Sequence, residues 1–268
     1  MRANDVRSTE ILRHGAYVCL RVPEARRRAA AAAPVPALVE RLRLANEFEV
    51  RDGHPPEAVA FLRRVGATPG PRADDGLLLA DAVVHVAAAT EAPVAEFCAE
   101  IVRLLGPGAQ TQVLGGVVRP MLYTGNAMFN FAYAHRVFQQ PGAVMPNAFL
   151  VPMSKTPSWW TKDWIERHTF FLPRYDDAGR MVNEGHALAS AAGVPCLMRR
   201  TYKYPSEPAP DDAYDFVTYF ECADADVPTF HEVCAALRDV KRNPEWAFVR
   251  EGPTWHGRRV ATWAELCA

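Results

Sequence analysis

The residue types able to do chemistry gather between positions 152 and 221. Lys155 is followed by the paired indoles Trp159 and Trp160, then by His186, then by Arg199. An isolated imidazole in an apolar stretch is most often a hydrogen-bonded structural residue. The functional alternative for His186 is an axial ligand to iron, since one imidazole suffices to hold a haem. His168, within Ile165-Glu166-Arg167-His168-Thr169, is the rival ligand. Arg199 precedes Arg200, and side chains alternate along a strand, so one of the two turns inward and the other outward. In the plain reading both are surface or salt-bridging groups. In the functional reading one guanidinium stands over the open face of a cofactor, where a multi-donor cation stabilises a bound oxyanion. Arginine needs no proton uptake to do this. Trp159 and Trp160 are either core and contact anchors or walls around a flat ring system. Lys155 is either exposed or a partner for an anionic oxygen of the cofactor. Together these residues suit a flat, anionic, metal-bearing cofactor. No glycine-rich phosphate loop, Gly-x-Ser-x-Gly elbow or Cys-x-x-Cys pair competes with that reading.

Two segments that position these groups read as copies of one unit. The first has a strand from Asp81, a helical stretch at 94–105 and a strand at 111–119; the second has a strand at 215–221, a helix at 227–240 and strands within 246–260. Val94 and Phe97 align with Val227 and Phe230. Upstream of the first copy lie a strand at 17–22 and a helix at 36–47, with Pro36 in the first turn, where a missing N–H costs little. Upstream of the second lie a strand at 148–153 and helices at 160–171 and 182–192. An internal repeat of this kind implies two similar halves. Each half reads as βαβ with further antiparallel strands, a ferredoxin-like unit. The expected class is α+β: two ferredoxin-like repeats whose sheets pack face to face into a dimeric α+β barrel within one chain, helices outside. Residues 1–140 form an N-terminal half with no counterpart of the His/Arg pair, read as structural. Residues 141–268 form the cofactor-binding half. The Arg/Ala run at 26–33 reads as a solvated helix face, 205–212 as a surface loop and 69–75 as a linker-like loop.

Composition bounds the rest. A length of 268 residues suits one large domain or two of about 120–150 each. A hydrophobic fraction of 49% and a charged fraction of 23% are those of a soluble globular protein. A net charge of −1 predicts no general pull toward nucleic acid or an anionic membrane. No apolar run is long enough to span a bilayer. Residues 1–10 are polar and carry no signal peptide, so the expected compartment is the cytoplasm. The six cysteines lack zinc-ligand spacing and are expected as reduced, mostly buried thiols.

Pro152-x-x-Lys155, Trp159-Trp160, His186 with Arg199, and Asp215-Phe216-Val217-Thr218-Tyr219-Phe220-Glu221 resemble, in order and spacing, the C-terminal domain of chlorite dismutases. The likeness covers about residues 81–260, most specifically 148–252, and includes Val117-Val118-Arg119-Pro120. The resemblance implies a dimeric α+β barrel with a b-type haem (iron) in the C-terminal half. It implies His186 as the proximal ligand, Arg199 as the distal arginine, and Lys155, Trp159 and Trp160 along the cofactor. It further implies a haem-dependent oxidoreductase that decomposes chlorite to chloride and dioxygen. The partners implied are a small anionic or oxidising substrate and further copies of the chain, as a pentamer-like ring or a dimer. The related coproheme decarboxylases share Pro152-Met153-x-Lys155, but their reactive tyrosine falls at Val151 and their distal glutamine at Arg199, which argues against decarboxylation. Three features depart from chlorite dismutases. An inserted segment, 161–184, separates Trp160 from His186. The carboxylate that polarises the proximal imidazole falls at Arg242, with Glu245 as its replacement if the loop is shifted. A tyrosine ahead of Pro152 is Asn147 here. Two alternatives follow: a divergent haem enzyme of the same fold acting on an organic or nitrogen-containing substrate, and a haem-free α+β barrel binding protein.

Overall fold

The computed structural model describes residues 14–45, 58–117 and 145–268. The polar start at 1–10, the end of the expected helix 36–47 and residues 118–120 of the resemblance lie outside them. The N-terminal half contributes strands β1 (His14–Arg21), β2 (Val59–Thr68), β3 (Ala82–Ala88) and β4 (Gln110–Val117). The C-terminal half contributes β5 (Asn147–Lys155), a small hairpin of β6 (Arg174–Tyr175) and β7 (Met181–Asn183), then β8 (Met198–Lys203), β9 (Phe216–Cys222), β10 (Val249–Glu251) and β11 (Thr254–Val260).

Within the first half the strand order is β2-β3-β1-β4, and within the second it is β11-β5-β9-β8, all antiparallel. Both are ferredoxin-like orders. The two sheets join edge to edge: β11 pairs with β2, and Val117 of β4 pairs with Lys203 of β8. Eight strands therefore close into one barrel, the α+β barrel expected from sequence, with the two sheets joined at their edges. Edge pairing satisfies the backbone groups that two stacked open sheets would leave bare.

Strand parity then sorts the side chains. Inward-facing Tyr17, Leu62, Val83, Leu150, Tyr219 and Trp255 fill the barrel. The outward faces pack against helices, because alternate residues on those strands are apolar as well. In the first half the helix Glu91–Leu105 lays Phe97 and Ile101 on Val18, Val84 and Val86. In the second half the helix Val227–Arg238 lays Phe230 and Val233 on Phe149 and Val151, and this layer is not closed throughout.

Two expected helices are shorter than the periodicity predicts. The helix at 160–171 is two pieces, Pro157–Trp160 and Trp164–Thr169, because Asp163 caps the second by accepting from the Glu166 amide at 2.8 Å. The helix at 182–192 is reduced to Gly185–Ala189 followed by a 3-10 turn, Ala191–Gly193. Gly185 sits at φ +63°, a left-handed conformation that cannot continue a helix backward into 182–184. The basic helix Glu24–Ala31 buries only Ala30, as its Arg/Ala composition suggests. The cysteines are unpaired, and all except half-buried Cys196 are buried. No helix among the described residues is long and apolar enough to cross a membrane.

Candidate active site

The gap in the second layer is a recess open to solvent, enclosing about 1100 Å³ of non-protein space with the solvent at its mouth included. Outward-facing residues of β5, β8 and β9 make its floor: Val151 and Lys155, Arg199 and Thr201, Thr218 and Phe220. Val233 and Leu237 of the helix Val227–Arg238 face them, and His186 enters from the helix Gly185–Ala189.

His186 is held from three sides. Its amide donates to the Phe170 carbonyl at 3.1 Å, and its ring lies 5.0 Å from that of Phe171. Its Nδ1 donates to Oε2 of Glu245 at 2.9 Å. Oε1 of the same carboxylate accepts from Nζ of Lys155. Glu245 and Lys155 are both buried, at 4% and 3% exposure, so the pair is shielded from water. Burial pushes the Glu245 carboxyl up, but the charges and hydrogen bonds of Lys155 and His186 outweigh it and hold it down to about 2. Burial lowers the Lys155 ammonium, and the Glu245 charge offsets part of that. An ionised Glu245 keeps the proton of His186 on Nδ1, which leaves Nε2 as the lone-pair nitrogen in the recess.

Glu245 takes the position that sequence alignment by spacing gives to Arg242. Arg242 instead makes a two-pronged pair with Glu184, at 2.9 and 2.8 Å, and its carbonyl accepts from the Glu184 and Gly185 amides. Asn243 folds back onto the Leu237 carbonyl at 3.0 Å, and the following 3-10 helix, Pro244–Phe248, presents Glu245 to the imidazole.

The remaining sequence-predicted residues sort as follows. Arg199 lines the recess, whereas Arg200 points into the barrel, where its Nη1 lies 3.4 Å from Nε2 of His85. The parity expected for the two arginines is thus realised, with both partly covered and each in its own compartment. Lys155 is buried, not exposed, and its ammonium stands 4.2 Å over the Trp159 ring. Neither indole is among the recess-lining residues. Trp159 packs against Phe170 and Phe248 and supports Lys155 from behind, and Arg167 covers Trp160 at 5.3 Å. The physical reason is the Pro157–Trp160 turn, which rotates both rings into a satellite core with Phe171. His168 lies in the helix Trp164–Thr169, away from the recess, and is not brought to the other candidates. Asn147 joins a network with His256 and Asp224 at 3.1 and 2.9 Å.

Sequence reasoning missed Phe171, Lys203, and the pair of Arg238 with Glu251, at 2.8 and 2.6 Å, all of which line the recess. Helical spacing could have found Arg238, since Val233, Cys234, Leu237 and Arg238 share one face. The donor set fits a haem. One imidazole with a fixed tautomer could hold an iron whose remaining ligands come with the ring, and no cluster of three His, Cys, Asp or Glu side chains that could hold a bare ion occurs among the described residues. Arg199, Lys203 and Arg238 suit a ring that carries carboxylates.

No protein-family model matches the sequence, and no curated protein is similar to it. Solved structures do match. Chlorite dismutase from Candidatus Nitrospira defluvii, as a tryptophan-to-phenylalanine mutant in complex with cyanide, superposes with a TM-score of 0.67 at 20% identity, covering 100% of this chain and 98% of that one. The same enzyme in complex with imidazole gives 0.66 at 20% identity over 99% and 98% of the two chains. A dimeric chlorite dismutase from Nitrobacter winogradskyi gives 0.52 at 19% identity, covering 75% of this chain and 99% of that one. The chain has the chlorite dismutase fold.

Proposed function

We propose that this chain, built on the chlorite dismutase fold, is a haem b-dependent oxidoreductase that decomposes chlorite to chloride and dioxygen. The observation that carries the reading is the His186–Glu245 pair, 2.9 Å apart, in a recess that also holds Arg199. When bound, haem iron supplies the redox chemistry at the chlorine–oxygen bond.

The chain's own groups do the rest. His186 holds the iron through Nε2. Glu245 fixes the ring's tautomer and makes it a more electron-rich ligand. Lys155 keeps Glu245 ionised and limits how much negative charge the imidazole takes on, since both draw on one carboxylate. Arg199 would bind the chlorite anion and hold anionic chlorine species in the recess. Val151, Phe220 and Leu237 line the recess with apolar surface around the guanidinium. The first half has the same layered plan, and its sequence carries no counterpart of the His186–Arg199 pair, which supports a structural role for it. The chain is taken to work as a homo-oligomer, in keeping with its dimeric structural neighbour.

A second reading has its own support. The inserted segment contributes Phe171 to the recess wall, so the same haem pocket is reshaped toward an organic or nitrogen-containing substrate. One experiment separates the two. Purified chain is titrated with haem, the Soret band recorded, and oxygen release from chlorite followed at an electrode. A Soret band with an oxygen burst supports chlorite decomposition; a Soret band without one moves the assignment to the second reading. No Soret band after haem addition refutes both.

A further inference from the structure

The strands that floor the recess carry a second set of groups on their inner faces. Tyr219 of β9 lies between Thr218 and Phe220, and Tyr202 of β8 between Thr201 and Lys203; those four neighbours all line the recess. The two phenols are therefore one sheet-thickness behind it. Tyr17 of β1 and His85 of β3 complete a stack. The His85 ring lies 5.1 Å from Tyr17, 5.6 Å from Tyr219 and 5.9 Å from Tyr202, and Tyr17 lies 5.4 Å from Tyr219. None of the four is more than 2% exposed.

Bulk alone would be met by aliphatic side chains, at no cost in buried polar groups. Here two phenols each face a proton acceptor. Tyr219 donates to Oε1 of Glu221 at 2.5 Å, and Tyr202 is 2.9 Å from Nε2 of His85. Arg259 Nη2 also donates to that Glu221 oxygen, at 2.5 Å. The Tyr17 hydroxyl is buried with no hydrogen-bond partner among the described residues, so Tyr17 has a ring for the stack and no acceptor for its proton. Oxidising a phenol is easy only where its proton has somewhere to go. The geometry thus distinguishes Tyr219 and Tyr202, which can hold an oxidised state, from Tyr17, which can only connect them.

We propose that this stack is a one-electron relay behind the recess, with Tyr219 as its first donor and Tyr202 as its second. The relay rests on the haem reading for its natural oxidant, a peroxide or chlorine oxyanion bound in the recess. That oxidant gains one electron from Tyr219. The phenol O–H bond breaks, the proton passes to Glu221, and a neutral phenoxyl radical and a neutral carboxyl remain. Transfer of the hole to Tyr202 returns the electron to Tyr219 and the proton from Glu221, while the Tyr202 proton passes to His85. A reductant of the thiol or ascorbate class restores the resting state by supplying one electron, and the acceptor gives back its proton. Such a path draws a stray oxidising equivalent off the cofactor into the barrel.

The test uses the purified full chain without haem, oxidised by photogenerated tris(bipyridyl)ruthenium(III) and read by electron paramagnetic resonance. Wild type is expected to give a long-lived tyrosyl signal that at least halves in Tyr219→Phe and again in the double variant with Tyr202→Phe, and persists in Tyr175→Phe, which alters an exposed ring. Glu221→Gln keeps every ring yet removes the base, and is expected to lower the yield and change the hyperfine pattern. An unchanged long-lived signal in Glu221→Gln and the folded Phe variants overturns the relay. Haem-loaded chain mixed with hydrogen peroxide and frozen rapidly is expected to show the same signal, and its absence there overturns the link to the recess. Haem uptake is scored separately by the Soret band: a radical without uptake leaves the relay standing and refutes the haem reading, and uptake without a radical does the reverse.

Discussion

One carboxylate, Glu245, serves two donors: Nδ1 of His186 at 2.9 Å through one oxygen and the ammonium of Lys155 through the other. Its removal is expected to act on both. Glu245→Gln should weaken haem retention roughly 10–100-fold, as loss of an outer-shell partner commonly does. Glu245→Ala should also destabilise the fold by roughly 3–5 kcal/mol, because Lys155 is left buried and unpaired. Pairing Glu245→Gln with Lys155→Met should recover much of that stability and none of the retention. Urea unfolding and haem transfer to a scavenger protein measure the two effects independently.

The same carboxylate gives the fold an acid limit. Its folded pKa, about 2, lies below the ordinary 4.5, so the unfolded chain binds its proton first as pH falls. Its contribution, roughly 2–3 kcal/mol, is full above about pH 4.5 and is lost as pH drops toward 2. The urea midpoint of wild type should fall across that window, and that of Glu245→Gln should fall less.

His85 sets a second limit at milder pH. Burial, then the charges of Arg200 and Arg259, hold its imidazole well below 6.5. The folded barrel therefore keeps it neutral, and the stability tied to that neutrality is present above about pH 6.5 and is lost progressively below it. A variant with no titratable ring, His85→Asn, should show a flatter stability profile between about pH 6.5 and 5 than wild type. Thermal melts at stepped pH would reveal it.

Adjacent arginines should fail differently. Arg199→Gln is expected to reduce turnover of an anionic substrate roughly 100-fold with little change in melting temperature, since the side chain faces the recess. Arg200→Gln should leave the recess chemistry largely intact and destabilise the barrel by roughly 1–3 kcal/mol, because Tyr202 and His85 lose a charged neighbour. Steady-state kinetics and calorimetry on both variants would show the crossed pattern.

His186→Ala should abolish the Soret band of the haem-loaded chain, whereas His168→Ala should leave it in place. Equal loss in both, or in neither, would remove His186 as the ligand.

The barrel was legible because its signal is periodic. β3 and β9 are short, largely apolar runs, and Val94 with Phe97 and Val227 with Phe230 mark the repeated helices. His186 and Arg199 could be named because their types are rare in such stretches and their spacing matched a known pattern. What sequence could not supply was the path of the chain between elements. Asn243 bonding back to Leu237 is a backbone-loop event without periodicity, and it decides that Glu245, rather than Arg242, meets the imidazole. The direction of the indoles is set in the same way, by the four-residue turn Pro157–Trp160, which carries no periodic signal. Edge-to-edge closure was equally invisible, since a strand's pattern reports which face is covered and says nothing of which strand lies beside it.

Closure by exchanged edges also fixes the evolutionary status of the duplication. β2 finds its outer neighbour in β11, and β4 finds its own in β8. Severing the chain between β4 and β5 would therefore not release two autonomous modules. Each fragment would carry two bare strand edges that template association with any copy at hand, and native structure would return only by complementation between unlike fragments. The fused chain makes that partnership intramolecular, so a half free of the recess can diverge in its helix layer while its edge strands stay bound to serve the other.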